Sequence, residues 1–255
     1  MTDRASSELA GGGTTEDALL GGQIRLRQPA DGYRVAVDPV LLASAVPATA
    51  GETVLDAGAG TGAAALCLAH RVAACRVTGL EIQPVLAALA VENAVLNGLS
   101  DAVGVLEGDV SAPPPGIGPA GFDHVMTNPP YLRASESRLP PSTMKAIATV
   151  ERDVDLASWL RICAGVVRPR GTVTVIHRAD RLDEIVPVLS ESCGELVVFP
   201  LWPKRGEDAR RMIVRGTVDS ETPLRIAAGL VLHERHGAFT READAILRHG
   251  APLEP

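Results

Sequence analysis

The sequence at residues 54–62 is Val54-Leu55-Asp56-Ala57-Gly58-Ala59-Gly60-Thr61-Gly62. It begins with apolar residues, contains three glycines, and is followed by an alanine-rich segment. Glycine tolerates positive φ and lets a ligand come close to the main chain. The start of a helix beyond such a turn offers unpaired N–H groups to an anionic group. The pattern therefore predicts a strand, a ligand-binding turn and a helix.

From residue 53 onward, apolar strand-like segments alternate with helix-like segments, which is typical of a doubly wound α/β sheet. Seven strands are predicted, at 53–56, 76–81, 103–106, 122–127, 172–176, 196–200 and 211–215. Helices are predicted between them at 61–73, 84–96, 155–167 and 181–189. The expected fold class is thus α/β, with a doubly wound, mostly parallel, seven-stranded Rossmann-like sheet.

The segments on either side of this core predict two smaller units. Residues 23–27 and 33–37 flank the turn signal Asp31-Gly32, which favours a β-hairpin, and Asp38-Pro39 can begin a helix. A strand and a helix are expected within 230–247. We therefore expect a disordered tail at 1–20, a hairpin and helix at 21–50, a core domain at 51–218, and an extension packed on it at 219–255.

Composition limits the class of protein. The chain has 255 residues, 46% of them hydrophobic, which suits one sizeable globular domain. No run of about 18 apolar residues and no apolar leader segment is visible, so neither a membrane span nor a secretory signal is expected. None of the cysteines has metal-ligand spacing, and we expect a cytoplasmic protein with reduced thiols and no metal. They are Cys67, Cys75, Cys163 and Cys193.

Charge is distributed unevenly along a chain whose net charge is -7. Residues 51–130 carry 2 basic and 8 acidic residues, whereas residues 131–215 carry 14 basic and 11 acidic residues. The acidic part suits a cationic ligand, and the basic part suits a polyanion such as a nucleic acid.

A second motif, Asn128-Pro129-Pro130-Tyr131, follows the strand predicted at 122–127. The Asn128 side-chain oxygen and the Pro129 carbonyl can accept both hydrogens of a planar amine, which frees its lone pair for attack. Prolines fix φ and restrict the preceding residue, so the two acceptors are placed in advance. Tyr131 can stack on a planar substrate, a contact worth about 1–3 kcal/mol for a base.

The glycine turn alone leaves the identity of the cofactor open. Gly58-x-Gly60-x-x-Ala63 also fits the looser dinucleotide fingerprint, so a nicotinamide cofactor and S-adenosylmethionine are both compatible with it. Glu81 lies at the end of the second predicted strand, where a carboxylate can accept hydrogen bonds from ribose hydroxyls.

The glycine turn and the Asn-Pro-Pro-Tyr motif together resemble the class I S-adenosylmethionine-dependent methyltransferases that modify amino groups. The resemblance implies that Asp56 orients the amino-acid end of the cofactor and that Asp109 bonds the adenine amine. It also implies that Asp38 closes over the cofactor, although helix capping explains Asp38 equally well. The expected cofactor-binding residues are Asp38, Asp56, Gly58, Ala59, Gly60, Gly62, Glu81, Ile82, Asp109 and Asn128, and the expected catalytic residues are Asn128, Pro129 and Tyr131.

Residues 22–217 are similar to the bacterial valine-tRNA adenine-N6 methyltransferase family. The similarity rests on Asp31-Gly32-Tyr33-Arg34 and Asp38-Pro39-Val40-Leu41-Leu42, which precede the two motifs. It implies that the acceptor is an adenine beside the anticodon, which a single-stranded loop can present at low cost. The expected RNA-binding residues are Tyr131, Arg133, Lys145, Lys204, Arg205 and Arg210.

Two alternative functions stay open at this point, as does homo-oligomer formation. Protein-glutamine methyltransferases share the tetrapeptide, but they carry a substantial helical domain before the cofactor domain, and little chain is available for one here. A catalytically silent Rossmann-type nucleotide-binding module would also contain the glycine turn.

Overall fold

The structure is a computed structural model that describes residues 13–31, 34–130 and 154–255. Its strands are β1 (Thr14–Leu19), β2 (Ile24–Pro29), β3 (Thr53–Ala57), β4 (Arg76–Glu81), β5 (Val103–Glu107), β6 (Phe122–Thr127), β7 (Val167–Arg178), β8 (Cys193–Lys204), β9 (Arg211–Val218), β10 (Arg225–Ile226) and β11 (Leu230–His233). Its α-helices are α1 (Asp38–Ala45), α2 (Ala63–Arg71), α3 (Pro84–Leu96), α4 (Leu156–Gly165), α5 (Leu182–Leu189) and α6 (Arg241–His249). No helix within these described ranges is both long enough and apolar enough to cross a bilayer.

The central sheet has the strand order β10-β8-β9-β7-β6-β3-β4-β5, with β11 also paired to β8. Strand β9 is antiparallel to β7 and β8, and the other pairs in this sheet are parallel. The predicted doubly wound, mostly parallel sheet is therefore confirmed. Two short strands from the C-terminal extension, β10 and β11, join the seven predicted ones because the outer edge of β8 is long enough to pair with both.

Helices cover both faces of the sheet, as its topology requires. Helices α1, α2 and α6 contribute to one hydrophobic cluster, and α4 and α5 contribute to the other. All six residues of β6 are buried, which is typical of a central parallel strand covered on both faces. Aliphatic side chains dominate both clusters, in agreement with an aromatic content of only 3%.

The N-terminal hairpin differs from the prediction. Strand β2 pairs antiparallel with β1, and residues 34–37 form no strand, so the predicted pairing of 23–27 with 33–37 is wrong. The disorder expected at 1–20 is wrong for residues 14–19, which form β1. Residues 1–12 lie outside the described residues. The cause is polar cross-strand pairing, which hydrophobic patterning does not detect: the Arg25 guanidinium donates to Glu16 at 2.8 Å.

Two asparagines four residues apart, Asn93 in α3 and Asn97 directly after its last residue, attach this hairpin to the core. Asn93 accepts a hydrogen bond from the Arg27 N–H at 2.7 Å and donates to the Arg27 carbonyl at 2.9 Å. Asn97 makes the equivalent pair of bonds to Arg25, at 2.8 and 2.7 Å. Asn93 also donates to the Thr61 carbonyl at 3.0 Å, which links the hairpin to the glycine turn.

We expect Asn93→Ala to lower the free energy of unfolding by about 1–3 kcal/mol, because it leaves buried backbone groups of Arg27 and Thr61 without partners. Urea unfolding measures this loss. Glu92→Ala, at the exposed neighbouring position of the same helix, is the control and should stay within about 0.5 kcal/mol of the unmodified protein. Equal stability of the two variants would contradict the role given to Asn93.

Candidate functional site

The chains of the central strands β3 and β6 separate where the strands end, and a ligand crevice is expected there. Their parallel register continues to the pair Ala57 and Thr127. Beyond it, the N–H groups of Gly58 and Ala59 both donate to the Leu80 carbonyl on β4, at 2.9 and 3.0 Å. The other chain continues toward β7, where the Pro130 carbonyl lies 3.5 Å from His177 Nε2. The two chains thus separate at the topological switch point, which is where open α/β sheets bind ligands.

The glycine turn is held in place by Glu81. Gly58, Gly60 and Gly62 have φ values of 76°, 57° and 84°, in the left-handed region that favours glycine. Glu81 Oε2 accepts the Gly60 N–H at 2.9 Å, and its Oε1 accepts the Gln83 N–H at 2.9 Å. Each carboxylate oxygen keeps capacity for a further donor. The Gly60 N–H is engaged within the protein, so it does not serve the anionic group that the sequence pattern suggested for this turn.

Asp56 is buried at the end of β3. Burial raises the pKa of its carboxyl to about 7, the Ala65 N–H opposes this by donating to it, and the negative charge of Glu81 raises it further. Asp56 Oδ2 and Thr61 Oγ1 are buried and have no hydrogen-bond partner among the described residues. Such atoms are costly unless a donor reaches them, so the turn fits a ligand that carries N–H or O–H groups. Thr61 was not among the predicted site residues, although it lies within the glycine turn.

Further predicted residues lie at neighbouring strand ends. The Gly108 N–H donates to the Glu81 carbonyl at 3.0 Å, which draws the ends of β4 and β5 together. Asp109 follows, and its carboxylate accepts the Ser111 N–H at 2.8 Å. Ile82 is 50% exposed beside Glu81, which is unusual for a large apolar side chain. The structure therefore brings an apolar side chain and a carboxylate to the same edge of the sheet as the glycine turn.

The helix-capping explanation of Asp38 is not what the structure shows. Val37 is the N-cap of α1, and it makes no side-chain cap hydrogen bond. The buried Asp38 carboxylate instead accepts from Arg211 Nε at 3.1 Å, at the start of β9. The contact spans 173 residues of sequence, and local patterning does not reveal a contact of that range.

The second turn, formed by Asn128, Pro129 and Pro130, begins directly after β6. Thr127 precedes it and is fully buried. The Thr127 hydroxyl donates to the Ala57 carbonyl at 2.8 Å and accepts from Trp159 Nε1 at 3.0 Å. Neither Thr127 nor Trp159 was among the predicted site residues, because only the folded chain brings α4 over this turn.

His177 lies beside the same turn at the end of β7 and is fully buried. Burial lowers the pKa of its imidazole to about 4; the hydrogen bond to the Pro130 carbonyl opposes this, and the positive charges of Arg181 and Arg211 add to it. The ring is therefore neutral at physiological pH. The contact of His177 with the Pro130 carbonyl was not anticipated from the sequence.

The described basic residues predicted to bind RNA lie at the same edge of the sheet. Lys204 ends β8, and Arg205 and Arg210 are exposed in the hairpin that joins β8 to β9. Strand β7 lies between β6 and the two strands of this hairpin. At the usual strand spacing, β9 and β8 are therefore about 10 and 15 Å from β6. Tyr131, Arg133 and Lys145 lie outside the described residues. Where the chain is described, no three or more His, Cys, Asp or Glu side chains form a group suited to a metal ion.

Comparison with known proteins shows which proteins this chain is similar to. Residues 35–149 match the family model described as the methyltransferase small domain. A tRNA1(Val) (adenine(37)-N6)-methyltransferase from Porphyromonas gingivalis strain W83 is 31% identical over 169 residues, which cover 64% of this chain and 66% of that protein. A protein of the same name from Aeromonas hydrophila is 29% identical over 184 residues, which cover 71% of this chain and 75% of that protein.

Solved structures agree with this result. A crystal structure described as a predicted O-methyltransferase, protein Atu636 from Agrobacterium tumefaciens, superposes with a TM-score of 0.71 at 28% identity, covering 86% of this chain and 99% of that one. The structure of P. horikoshii TYW2 in complex with MeSAdo has a TM-score of 0.57 at 14% identity, covers 81% of this chain and 72% of that one, and supports the fold alone. The resemblance noted in the sequence is confirmed: the chain contains a match to the methyltransferase small domain, and it is similar to S-adenosylmethionine-dependent methyltransferases in sequence and fold.

Proposed function

We propose that this protein transfers a methyl group from S-adenosylmethionine to N6 of an adenine in tRNA, beside the anticodon. The observation that carries the proposal is that the glycine turn and the Asn128–Pro130 turn begin at neighbouring positions of β3 and β6, where the two chains separate. The names of the curated relatives support the choice of tRNA adenine as the acceptor.

Buried carboxylates form the cofactor side of the crevice. S-adenosylmethionine, when bound, supplies an electrophilic methyl group on a cationic sulfur. Asp56 accepts hydrogen bonds from the ammonium group of its amino-acid end, and Glu81 accepts from the ribose hydroxyls with the capacity that Gly60 and Gln83 leave unused. Two buried carboxylates near each other favour a cation, because a positive ligand offsets their mutual repulsion.

The other residues of the cofactor side have simpler roles in this proposal. Ile82 would pack against the adenine, and Asp109 would accept from the adenine amine. The backbone of Ala59, Gly60 and Gly62 would contact the cofactor, and Asp38, held by Arg211, would close the site from α1.

The acceptor side is formed by neutral oxygen atoms. An exocyclic adenine amine shares its lone pair with the ring and is a poor nucleophile. The Asn128 side-chain oxygen and the Pro129 carbonyl each accept one N–H, which favours a pyramidal nitrogen and frees the lone pair. Positioning supplies most of the rate enhancement in such a site. As the new N–C bond formed, the bond between the methyl group and the sulfur would break, the neutral thioether S-adenosylhomocysteine would leave, and the surplus proton on nitrogen would then pass to water.

The tRNA contacts require a base that is turned out of its loop, which costs little in a single-stranded anticodon loop. Tyr131 stacks on this base in the proposal. Lys204, Arg205 and Arg210 contact phosphates from the β8–β9 hairpin, with Arg133 and Lys145 as further phosphate contacts.

Other acceptors fit the crevice less well. A glutamine side-chain amide offers the same two hydrogens, but the names of the relatives favour a tRNA adenine. A hydroxyl acceptor carries a single hydrogen and would leave one of the two oxygens without a donor. Product analysis separates these cases.

The affinity for S-adenosylhomocysteine should rise between pH 6 and pH 8. Below its raised pKa of about 7, the Asp56 carboxyl must release a proton before it can pair with the ligand's ammonium group. The dissociation constant should therefore increase by up to about tenfold for each unit below pH 7. Isothermal titration measures this constant across the range.

Asp56→Asn should bind more weakly and lose this pH dependence, whereas Asp101→Asn, on an exposed turn, should keep it. The role given to Asp56 would be refuted if the dissociation constant of the unmodified protein did not change with pH, or if that of Asp56→Asn still did.

Asn128→Ala should lower kcat on tRNA by about 100-fold or more, because it removes one of two acceptors aimed at the reacting amine. The dissociation constant for S-adenosylhomocysteine should change by less than about threefold. Mass spectrometry of digested tRNA nucleosides measures the N6-methyladenosine formed. A transcript with purine in place of the target adenine lacks the amine and should accept no methyl group.

Asn97→Ala is the matched control, since it truncates the asparagine directly after α3 that contacts the hairpin. It should retain kcat. If Asn128→Ala lost cofactor affinity together with turnover, the role of Asn128 would be structural. If product analysis found a methylated glutamine or a methylated hydroxyl, that group would replace adenine as the acceptor.

A further inference from the structure

One buried hydroxyl joins the starting points of the two turns. Thr127 and Ala57 are the last paired residues of β6 and β3, and the Thr127 hydroxyl donates across the pair to the Ala57 carbonyl at 2.8 Å. The same oxygen accepts the Trp159 indole N–H at 3.0 Å. Ala57 leads directly into Gly58, and Thr127 leads directly into Asn128. The hydroxyl therefore lies at the floor of the crevice, at the point where the two chains separate.

The indole of Trp159 also touches the glycine turn. A methyl group at Gly58 would lie 3.1 Å from Trp159 Cζ2, which is closer than ordinary van der Waals contact, so the ring packs directly on the Gly58 backbone. One side chain of α4 thus contacts the first residue of the cofactor turn and the residue before the acceptor turn. Neither Thr127 nor Trp159 is among the residues assigned above to ligand binding.

The geometry of these contacts leaves little freedom. A hydroxyl has one hydrogen, and Thr127 uses it on Ala57, so its lone pairs are oriented toward the indole N–H. Thr127 is fully buried and β-branched, which restricts its χ1 rotation. Removing the hydroxyl would leave both a buried N–H and a buried carbonyl without this partner.

We propose that Thr127 and Trp159 are positioning residues that fix the separation between the glycine turn and the Asn128–Pro130 turn. The inference rests on the proposed function, because that separation sets the distance between the methyl donor and the acceptor amine. A misplacement of about 1 Å in such a geometry can cost about 100-fold in rate.

The experiment uses the full chain and three variants. Thr127→Val keeps the volume and removes the hydroxyl, and Thr127→Ser keeps the hydroxyl. Cys163→Ala is a packing control, because Cys163 is buried in the same helix as Trp159. For each protein, kcat and KM are measured on tRNA, the dissociation constant of S-adenosylhomocysteine is measured by titration, and Tm is recorded.

Thr127→Val should lower kcat by about 10–100-fold while KM for tRNA changes by less than about threefold, and Thr127→Ser should recover kcat to within about threefold. Cys163→Ala should lower Tm without lowering kcat. If Thr127→Val keeps its kcat, or if Thr127→Ser fails to restore it, Thr127 has only a packing role and the proposal is overturned.

A second readout does not depend on the acceptor. Hydrogen exchange should become at least about fivefold faster in residues 54–62 and 122–128 of Thr127→Val, and unchanged there in Cys163→Ala. Unchanged exchange in Thr127→Val overturns the proposal. If the unmodified protein binds S-adenosylhomocysteine but methylates no tRNA, the proposed function fails, and the exchange result alone decides the role of Thr127.

Discussion

Strands β3 and β6 are hydrogen-bonded only as far as Ala57 and Thr127, and the arrangement of the site follows from that limit. The Leu80 carbonyl draws one chain toward β4, and the other continues toward β7 and His177. A doubly wound sheet requires such a separation where its strand order reverses. In this protein the two chains that separate lead into the glycine turn and the proline-rich turn, so the fold places side by side the two turns that we propose as the donor site and the acceptor site.

The two sides of the crevice differ in charge, and the difference matches what each is proposed to hold. The cofactor side contains the buried carboxyls of Asp56 and Glu81, whose pKa values are both raised by burial. Leaving these groups without a cation is costly, which makes the site selective for a positive ligand. On the side that we propose for the acceptor, a neutral His177 lies beside the Pro130 carbonyl. A neutral imidazole adds no positive charge next to an amine that becomes positive as it is methylated.

The sequence predicted what is encoded locally. The glycine turn, the core strands and the proline-rich turn were predicted because each depends on a short pattern of neighbouring residues. The N-terminal hairpin was mispaired because the turn signal at Asp31-Gly32 was preferred over the polar pairing of β1 with β2. Trp159 and His177 were missed as neighbours of the acceptor turn because their partners lie 32 and 47 residues away. Thr61 was overlooked because a lone threonine gives no sign that its hydroxyl will be buried without a partner.

The central claim is that the Asn128 side-chain oxygen and the Pro129 carbonyl hold the two hydrogens of an adenine amine opposite the methyl donor. A crystal structure with S-adenosylhomocysteine and a tRNA anticodon stem-loop tests this claim most directly. We expect both oxygens to lie about 2.7–3.2 Å from adenine N6, with the cofactor sulfur on the open side of that nitrogen. An adenine bound elsewhere, or a cofactor outside the glycine turn, would contradict it.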